Sequence, residues 1–482
     1  MSNPKIPRGN VTAVQTITDE FSRSNYIADG LWEREVWRIP GVSDDQPRIW
    51  RISPTPFPID SELAGLLHRL GPALLSFYNA VNSLYLRSNY PWVNEYLDKG
   101  KPDSIIEHSR MNYHKRRLPG IIRPDILLTD EGPRITELDA VPGGMGQLDA
   151  MSLLYADLGF DILGSSRGML HGFDRMIRSA AGKDDPVLAI VVSEESSDYR
   201  PEMGWLAQEL KNIGRRAFMI RPEELIFMED GLFIDQDSHM LKLDVVYRFF
   251  ELFDLKNIPK VELLTYAAKK RLVVVTPPFK HHLEEKMLLA LLHHPMLEDY
   301  WLGELSAEDF YLLKEIVPRT WILDPRPVPP HAVIPDFRFR GKPIQDWRVI
   351  KEGTQKERRL VVKPSGFSPS AWGSRGVVIG HDNPADKWAE AVENALECFD
   401  SVPYVLQHFH EGKRIPVRYL DQNTNGIVEM QGRVRLTPYY YVTDTGAALG
   451  GALSTVVPPD KKLIHGMVDA VMAPCMVAND VG

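Results

Sequence analysis

The segment running from Arg123-Pro124-Asp125 to Ile135-Thr136-Glu137-Leu138-Asp139 puts three carboxylates and a guanidinium into one short stretch. In an extended strand, side chains at i and i+2 share a face, so Glu137 and Asp139 point the same way. If Ile126-Leu127-Leu128 pairs with Ile135-Thr136-Glu137 through the turn Asp130-Glu131-Gly132-Pro133, Asp125 lies across from them. Three carboxylates on one sheet face repel each other unless a hard cation joins them, and oxygen-only ligands suit Mg²⁺. Taken alone, the same residues also describe a surface hairpin with acids on its wet face.

A second stretch points to phosphate. Leu360-Val361-Val362-Lys363-Pro364-Ser365-Gly366 reads as a strand carrying a Lys at its end, followed by Gly373-Ser374-Arg375-Gly376 and the apolar Val377-Val378-Ile379. Such a hairpin has a tip that can close over a ligand. Its glycines let backbone N–H groups approach phosphate oxygens, and the Lys adds a compact positive charge. The chain has neither a G-x-x-x-x-G-K-[ST] loop nor a G-x-G-x-x-G turn opening a helix. A carboxylate cluster together with a Lys and Gly hairpin suggests metal–nucleotide chemistry.

Together these residues resemble a circularly permuted ATP-grasp protein, similar to the synthetase domain of glutathionylspermidine synthases. In that family an Arg-x-Asp precedes a Glu-x-Asn, and the acidic and amide groups hold Mg²⁺ on the ATP phosphates. Arg123, Asp125 and Glu137 match the pattern, and Asp139 stands where the family has Asn. The resemblance implies Lys286, Lys363, the turn Gly373-Ser374-Arg375-Gly376 and the strand containing Gln407 as the nucleotide site. It implies Arg123 as the group that stabilises the transferring phosphoryl and the acyl oxygen. Acids before lysines is the order that marks permutation. The implied reaction joins a small carboxylate to a small amine through an acylphosphate, with ATP and Mg²⁺. The alternative is a non-catalytic scaffold or binding protein that keeps the fold.

The elements that must position these groups follow from periodicity. Residues 1–118 read as a mostly helical region, with Leu63, Leu66, Leu67, Leu70, Leu74 and Leu75 at helical spacing. Residues 119–275 hold the acidic hairpin, a helix from Gln147 to Leu158, and a βαβ unit. In that unit Val187–Val192 is a continuous apolar strand, and the following helix ends before Gly214. Residues 276–355 read as a small lobe with a helix from His282 to Leu292 carrying Lys286 and a Pro-rich connector. Residues 356–482 read as a nucleotide-binding lobe with a helix near 385–399 and strands at 403–409 and 433–442. The fold class is therefore α/β (α+β). The turn Pro142–Gly146 could present backbone N–H groups to a substrate carboxylate. Arg418 and Arg435 could each meet an anion or form a salt bridge. His465 and Asp469 share one face if their segment is helical.

Composition sets the outer limits. At 482 residues the chain is long enough for two or three domains. A net charge of −9 argues against nucleic acid, which calls for a basic stripe. No apolar run approaches a membrane span. The two cysteines, Cys398 and Cys475, rule out a disulfide framework and fit a reducing, cytoplasmic setting. No H-E-x-x-H pair occurs.

Overall fold

The computed structural model describes residues 17–36, 50–87, 89–139, 141–329, 331–371, 375–421, 423–464 and 469–478. It is a mixed α/β fold with several sheets.

The acidic hairpin forms with a tighter turn and a different register than expected: Gly132 and Pro133 belong to the second strand, opposite Thr129 and Leu128, and Leu127 faces Arg134. Strands Ile121–Thr129 and Gly132–Asp139 pair antiparallel, with Asp125 opposite Glu137 and Arg123 opposite Asp139. A bulge at Asp125/Ile126 shifts the register, so Ile126 and Ile135 still meet and both turn into the core. Thr136 is the unmatched residue of the bulge, and Glu137 and Asp139 stay on the face opposite Ile135.

The hairpin is one edge of an eight-stranded sheet. Its spine is the long strand Gly426–Thr443, which pairs with Arg414–Asp421, with Gly446–Val457 and with Ile121–Thr129. The opposite side is built from Val471–Val477, which runs parallel to two short strands, Arg51–Ile52 and Phe57–Ile59. The inward face packs on the helix Ser61–Arg87, whose leucine stripe is buried in the main core. Tyr440 reaches across from the sheet and donates to Leu67 O at 2.7 Å.

A second sheet is parallel throughout, in the order Val274–Thr276, Val245–Phe249, Val187–Val192, Arg216–Ile220. Its central strands are buried on both faces, which explains their unbroken apolar runs. The edge strand begins at Val274, because Leu272 N–H closes the preceding helix by donating to Ala267 O.

The third sheet is antiparallel, in the order Thr320–Ile322, Tyr404–His408, Leu360–Pro364, Val378–Ile379. The helix Ala385–Glu397 covers one face, burying Trp388, Val392 and Leu396 against Leu360, Val362 and Leu406. The position between residues 355 and 356 therefore falls between strands of a single sheet. The expected helix from His282 to Leu292 is two pieces, a 3₁₀ turn at His281–Leu283 and an α-helix at Met287–His293. Ser365 makes the break: its carbonyl accepts the Lys286 N–H at 3.0 Å and its Oγ accepts the Met287 N–H at 2.9 Å. These bonds leave Lys286 at the helix start rather than inside it. No helix among the described residues is long and apolar enough to cross a membrane.

Candidate functional site

A cavity of about 480 Å³ opens over the outward face of the acidic hairpin. Its lining brings together Arg123, Asp125, Glu137, Asp139, Lys286 and Arg435, from strands and a helix start far apart in sequence. The three acids do not stand alone. Asp125 lies 2.7 Å from Arg435 Nη1 and 3.3 Å from Arg123 Nη2. Asp139 is ion-paired with Arg123, and Glu137 Oε1 lies 2.7 Å from Lys286 Nζ.

This arrangement corrects one step of the sequence argument. Side-chain cations, not only a hard metal, relieve the repulsion among the carboxylates. Among the described residues no three His, Cys, Asp or Glu side chains gather closely enough to hold a metal ion. Asp125 and Glu137 nevertheless offer hard oxygen donors in register, and the buried Oδ1 of Asp125 accepts no hydrogen bond. Those two residues fit a Mg²⁺ ion better than Asp139, whose Oδ1 accepts the Val141 N–H at 3.0 Å and whose Oδ2 meets Arg123.

The charges are strongly perturbed. Burial raises Asp139, opposed by Arg123. Burial would lower the Lys286 ammonium, yet the adjacent Glu137 carboxylate raises it above its ordinary value. Burial pushes Lys363 down to about 8. Burial with specific charged partners shifts groups in this way in functional clefts and in structural ion-pair networks alike.

Lys363 and Gln407 sit side by side and are not among the residues lining the cavity. Lys363 Nζ donates to Gln407 Oε1 at 2.7 Å and to Thr136 O at 3.1 Å. The Lys363 strand does pair with a second strand as a hairpin, Val361 and Val362 opposite Ile379 and Val378. Gly373 and Ser374 lie outside the described residues. Arg375 Nη1 lies 3.5 Å from Glu195 Oε1, and the Gly376 N–H donates to Ser370 O at 2.9 Å.

The Gly-rich turn is not free to receive a substrate carboxylate. Gly144 N–H and Gln147 N–H donate to the two carboxylate oxygens of Glu202, at 2.7 and 3.1 Å. Glu202 thus caps the helix Met145–Asp157, whose N-cap, Gly144, has no side chain to do so. Gly144 has φ +89°, and a Cβ there would lie 2.6 Å from the Tyr439 hydroxyl. Tyr439 donates to Gly143 O at 2.5 Å and lines the cavity. Burial raises Glu202 to about 7 despite those N–H donors.

Arg435 was readable as a salt-bridge or anion-binding residue, and it is paired with Asp125 inside the cavity. Arg418 is exposed and paired with Glu20. His465 lies outside the described residues, and Asp469 stands in a turn 3.1 Å from Arg51 Nη2. Glu202, Glu251 and Glu284 carried no local sequence signal. They reach the cavity from the helix Arg200–Asn212, from the segment after Val245–Phe249 and from the turn before Met287–His293.

No family model matches the chain, and no curated protein matches it in sequence. Among solved structures it resembles a glutathione synthetase-like effector from Globodera pallida, with a TM-score of 0.58 at 12% identity, over 96% of this chain and 98% of that one. The chain shares that fold. A protein provisionally described as a gamma-glutamylcysteine synthetase from Methylobacillus flagellatus KT aligns at TM-score 0.40 and 11% identity, over 85% and 86% of the two chains. D-alanyl-alanine synthetase A from Vibrio cholerae O1 aligns at 0.24 and 11%, over 55% and 87%. The last two scores are too low to carry a fold assignment.

Proposed function

We propose that the protein is an ATP-dependent carboxylate–amine ligase of the ATP-grasp type, built in circularly permuted order and similar to glutathionylspermidine synthases. The observation that carries this reading is the convergence of Arg123, Asp125, Glu137, Lys286 and Arg435 on one cavity, in a fold shared with a glutathione synthetase-like protein. The order of acids before lysines supports the permutation.

Asp125 and Glu137, with Asp139 beside them, would hold Mg²⁺, which supplies neutralising charge for the phosphates when bound. Lys286 is a cation already poised at Glu137, and exchanging that partner for a phosphate oxygen needs only a small movement. Arg123, held by Asp139 and by its own bond to Gly143 O, is a fixed guanidinium suited to charge that develops during phosphoryl transfer. Lys363, Gln407 and the 373–376 turn would close around the nucleotide and keep water from an acylphosphate.

Lys363 favours a second reading. Its ammonium is satisfied by Gln407 and Thr136 and lies outside the cavity lining, as in a protein that keeps the fold as a non-catalytic scaffold. ADP release from ATP and Mg²⁺ with mixed small acids and amines separates the two. The ligase reading expects turnover that is lost in both Asp125→Ala and Glu137→Ala. Turnover unchanged in both variants would refute the site.

A further inference from the structure

Three consecutive cations occur twice in the chain, as Lys115-Arg116-Arg117 and as Lys269-Lys270-Arg271. The fold brings the two runs together away from the main cavity, none of whose lining they supply. Arg117 and Arg271 both lie over the Tyr113 ring, 5.3 and 4.9 Å from its centroid. Arg117 donates to Ala180 O at 3.0 Å and to the Tyr113 hydroxyl at 3.2 Å, and the other five cations are exposed. Among the described residues none of the six forms an ion pair with an acid, in a chain whose net charge is −9.

Helix ends account for part of this patch. Lys269 and Arg271 close the helix Val261–Lys269, and Arg117 meets the last turn of Gly168–Ala181, where positive charge complements the helix dipole. Two features are left over. Lys115 and Arg116 stand on a turn held from behind, where Lys115 O accepts Asn82 Nδ2 at 2.6 Å and Lys280 Nζ at 3.2 Å. Arg271 has φ +61°, and its N–H and that of Leu272 return to Ala268 O and Ala267 O at 3.1 and 2.9 Å. Glycine takes that helix stop freely, and a residue with a β-carbon takes it at a cost. A cation is kept where glycine would serve the fold better.

Beside the cations, the same helix exposes Leu263 and Tyr266, which are 40% and 47% accessible. They are three residues apart and share a face. Lys270 lies over the Tyr266 ring at 5.5 Å, and Phe227 meets that ring edge-on at 5.8 Å. Glu262, the acid of this helix, is in its first turn, roughly 10 Å along the axis from Lys269. Unpaired cations beside exposed apolar and aromatic side chains suit a bilayer interface, where the charges meet anionic head groups and the apolar groups enter the acyl boundary. An acidic polymer in solution would engage the cations alone.

We propose that this face docks the protein on an anionic lipid surface, lying on the membrane without spanning it. The proposal stands apart from the ligase reading. Acids elsewhere on the chain do not cancel the local excess, because exposed charges are screened beyond about 8 Å at physiological salt.

The test is co-sedimentation of the intact protein with vesicles of phosphatidylcholine alone and of phosphatidylcholine mixed with phosphatidylserine. The expected result is at least tenfold stronger partition onto the anionic vesicles, weakening as salt is raised. A cation near such a surface contributes about fivefold, so the combined variant Lys115→Gln, Arg116→Gln, Arg271→Gly should lose about a hundredfold. Because Arg271→Gly relieves the left-handed backbone, an unchanged or raised melting midpoint reports that this variant is folded. Replacing Leu263 and Tyr266 by Ser should lose at least fivefold on the same vesicles. Equal partition onto both vesicles, no partition onto either, or wild-type partition by the combined charge variant would overturn the proposal. Unchanged partition in the Leu263→Ser, Tyr266→Ser variant, or a wild type that ignores the vesicles and binds polyglutamate or polyuridylate, would overturn it in favour of a dissolved polyanion.

Discussion

Removing the Glu202 carboxylate is the sharpest structural test of how the cavity wall is held. Glu202 is 5% exposed and closes the N-terminus of the helix Met145–Asp157 by accepting the Gly144 and Gln147 N–H groups. In Glu202→Ala both donors lose their partner. At roughly 1 kcal/mol for each lost cap bond, the first turn weakens by about 2 kcal/mol. Because about 1.4 kcal/mol is a factor of ten, that loss corresponds to roughly 30-fold faster amide exchange at Gly144 and Gln147. Exchange at these two amides is a better readout than a melting midpoint, since a chain of this size need not unfold in one step. The effect also has a pH signature. Glu202 is raised from 4.5 to about 7, so the folded chain binds its proton more tightly than the unfolded one. The stability it contributes is full below 4.5 and is lost as pH rises through about 7. The difference between wild type and Glu202→Ala should therefore shrink from about pH 5 to about pH 8, while other titrating groups cancel in the comparison. Unchanged exchange at both amides, or a difference that grows with pH, would refute this account of the turn.

Two further substitutions probe the same wall and the charges facing it. Gly144→Ala forces a side chain into φ +89° and against the Tyr439 hydroxyl, and it should destabilise the protein in urea by about 1–3 kcal/mol. A neutral result there would mean that the turn relaxes freely. Lys286→Met removes the cation beside Glu137 and should weaken calorimetric binding of ATP with Mg²⁺ by about 10- to 100-fold, the value of one charged hydrogen bond. Wild-type affinity in that variant would remove Lys286 from the phosphate site.

The parts of the site that could be read from sequence are those that depend on neighbours along the chain. Alternation through Ile135-Thr136-Glu137-Leu138-Asp139 announced the hairpin and Asp125 across from Glu137, but the turn is only Asp130-Glu131, and the bulge at Asp125/Ile126 gives Leu127 and Leu128 other partners than expected. The apolar run Val187–Val192 likewise announced a buried parallel strand. What escaped depends on pairing across long separations. Arg435 finds Asp125 only because Gly426–Thr443 lies against Ile121–Thr129, and nothing near either residue predicts the other. Arg51–Ile52 is too short to show a period, yet it joins Val471–Val477 near the other end of the chain. Glu202 lies in the helix Arg200–Asn212, and only packing across more than fifty residues places it under the glycine turn. Lys363 shows the opposite case: its local motif was correct as a hairpin, but its ammonium reaches Gln407 and Thr136 instead of the cavity.

The measurement that bears most directly on the central claim is thermal unfolding with ATP and Mg²⁺ together, with each alone, and with both in Asp125→Ala. A ligand in large excess over its dissociation constant stabilises the folded chain by about 2–4 kcal/mol. The ligase reading predicts an upward shift that needs both components and vanishes in Asp125→Ala, whose unliganded transition reports that it is folded. No shift in the wild type, or the same shift in Asp125→Ala, would contradict it.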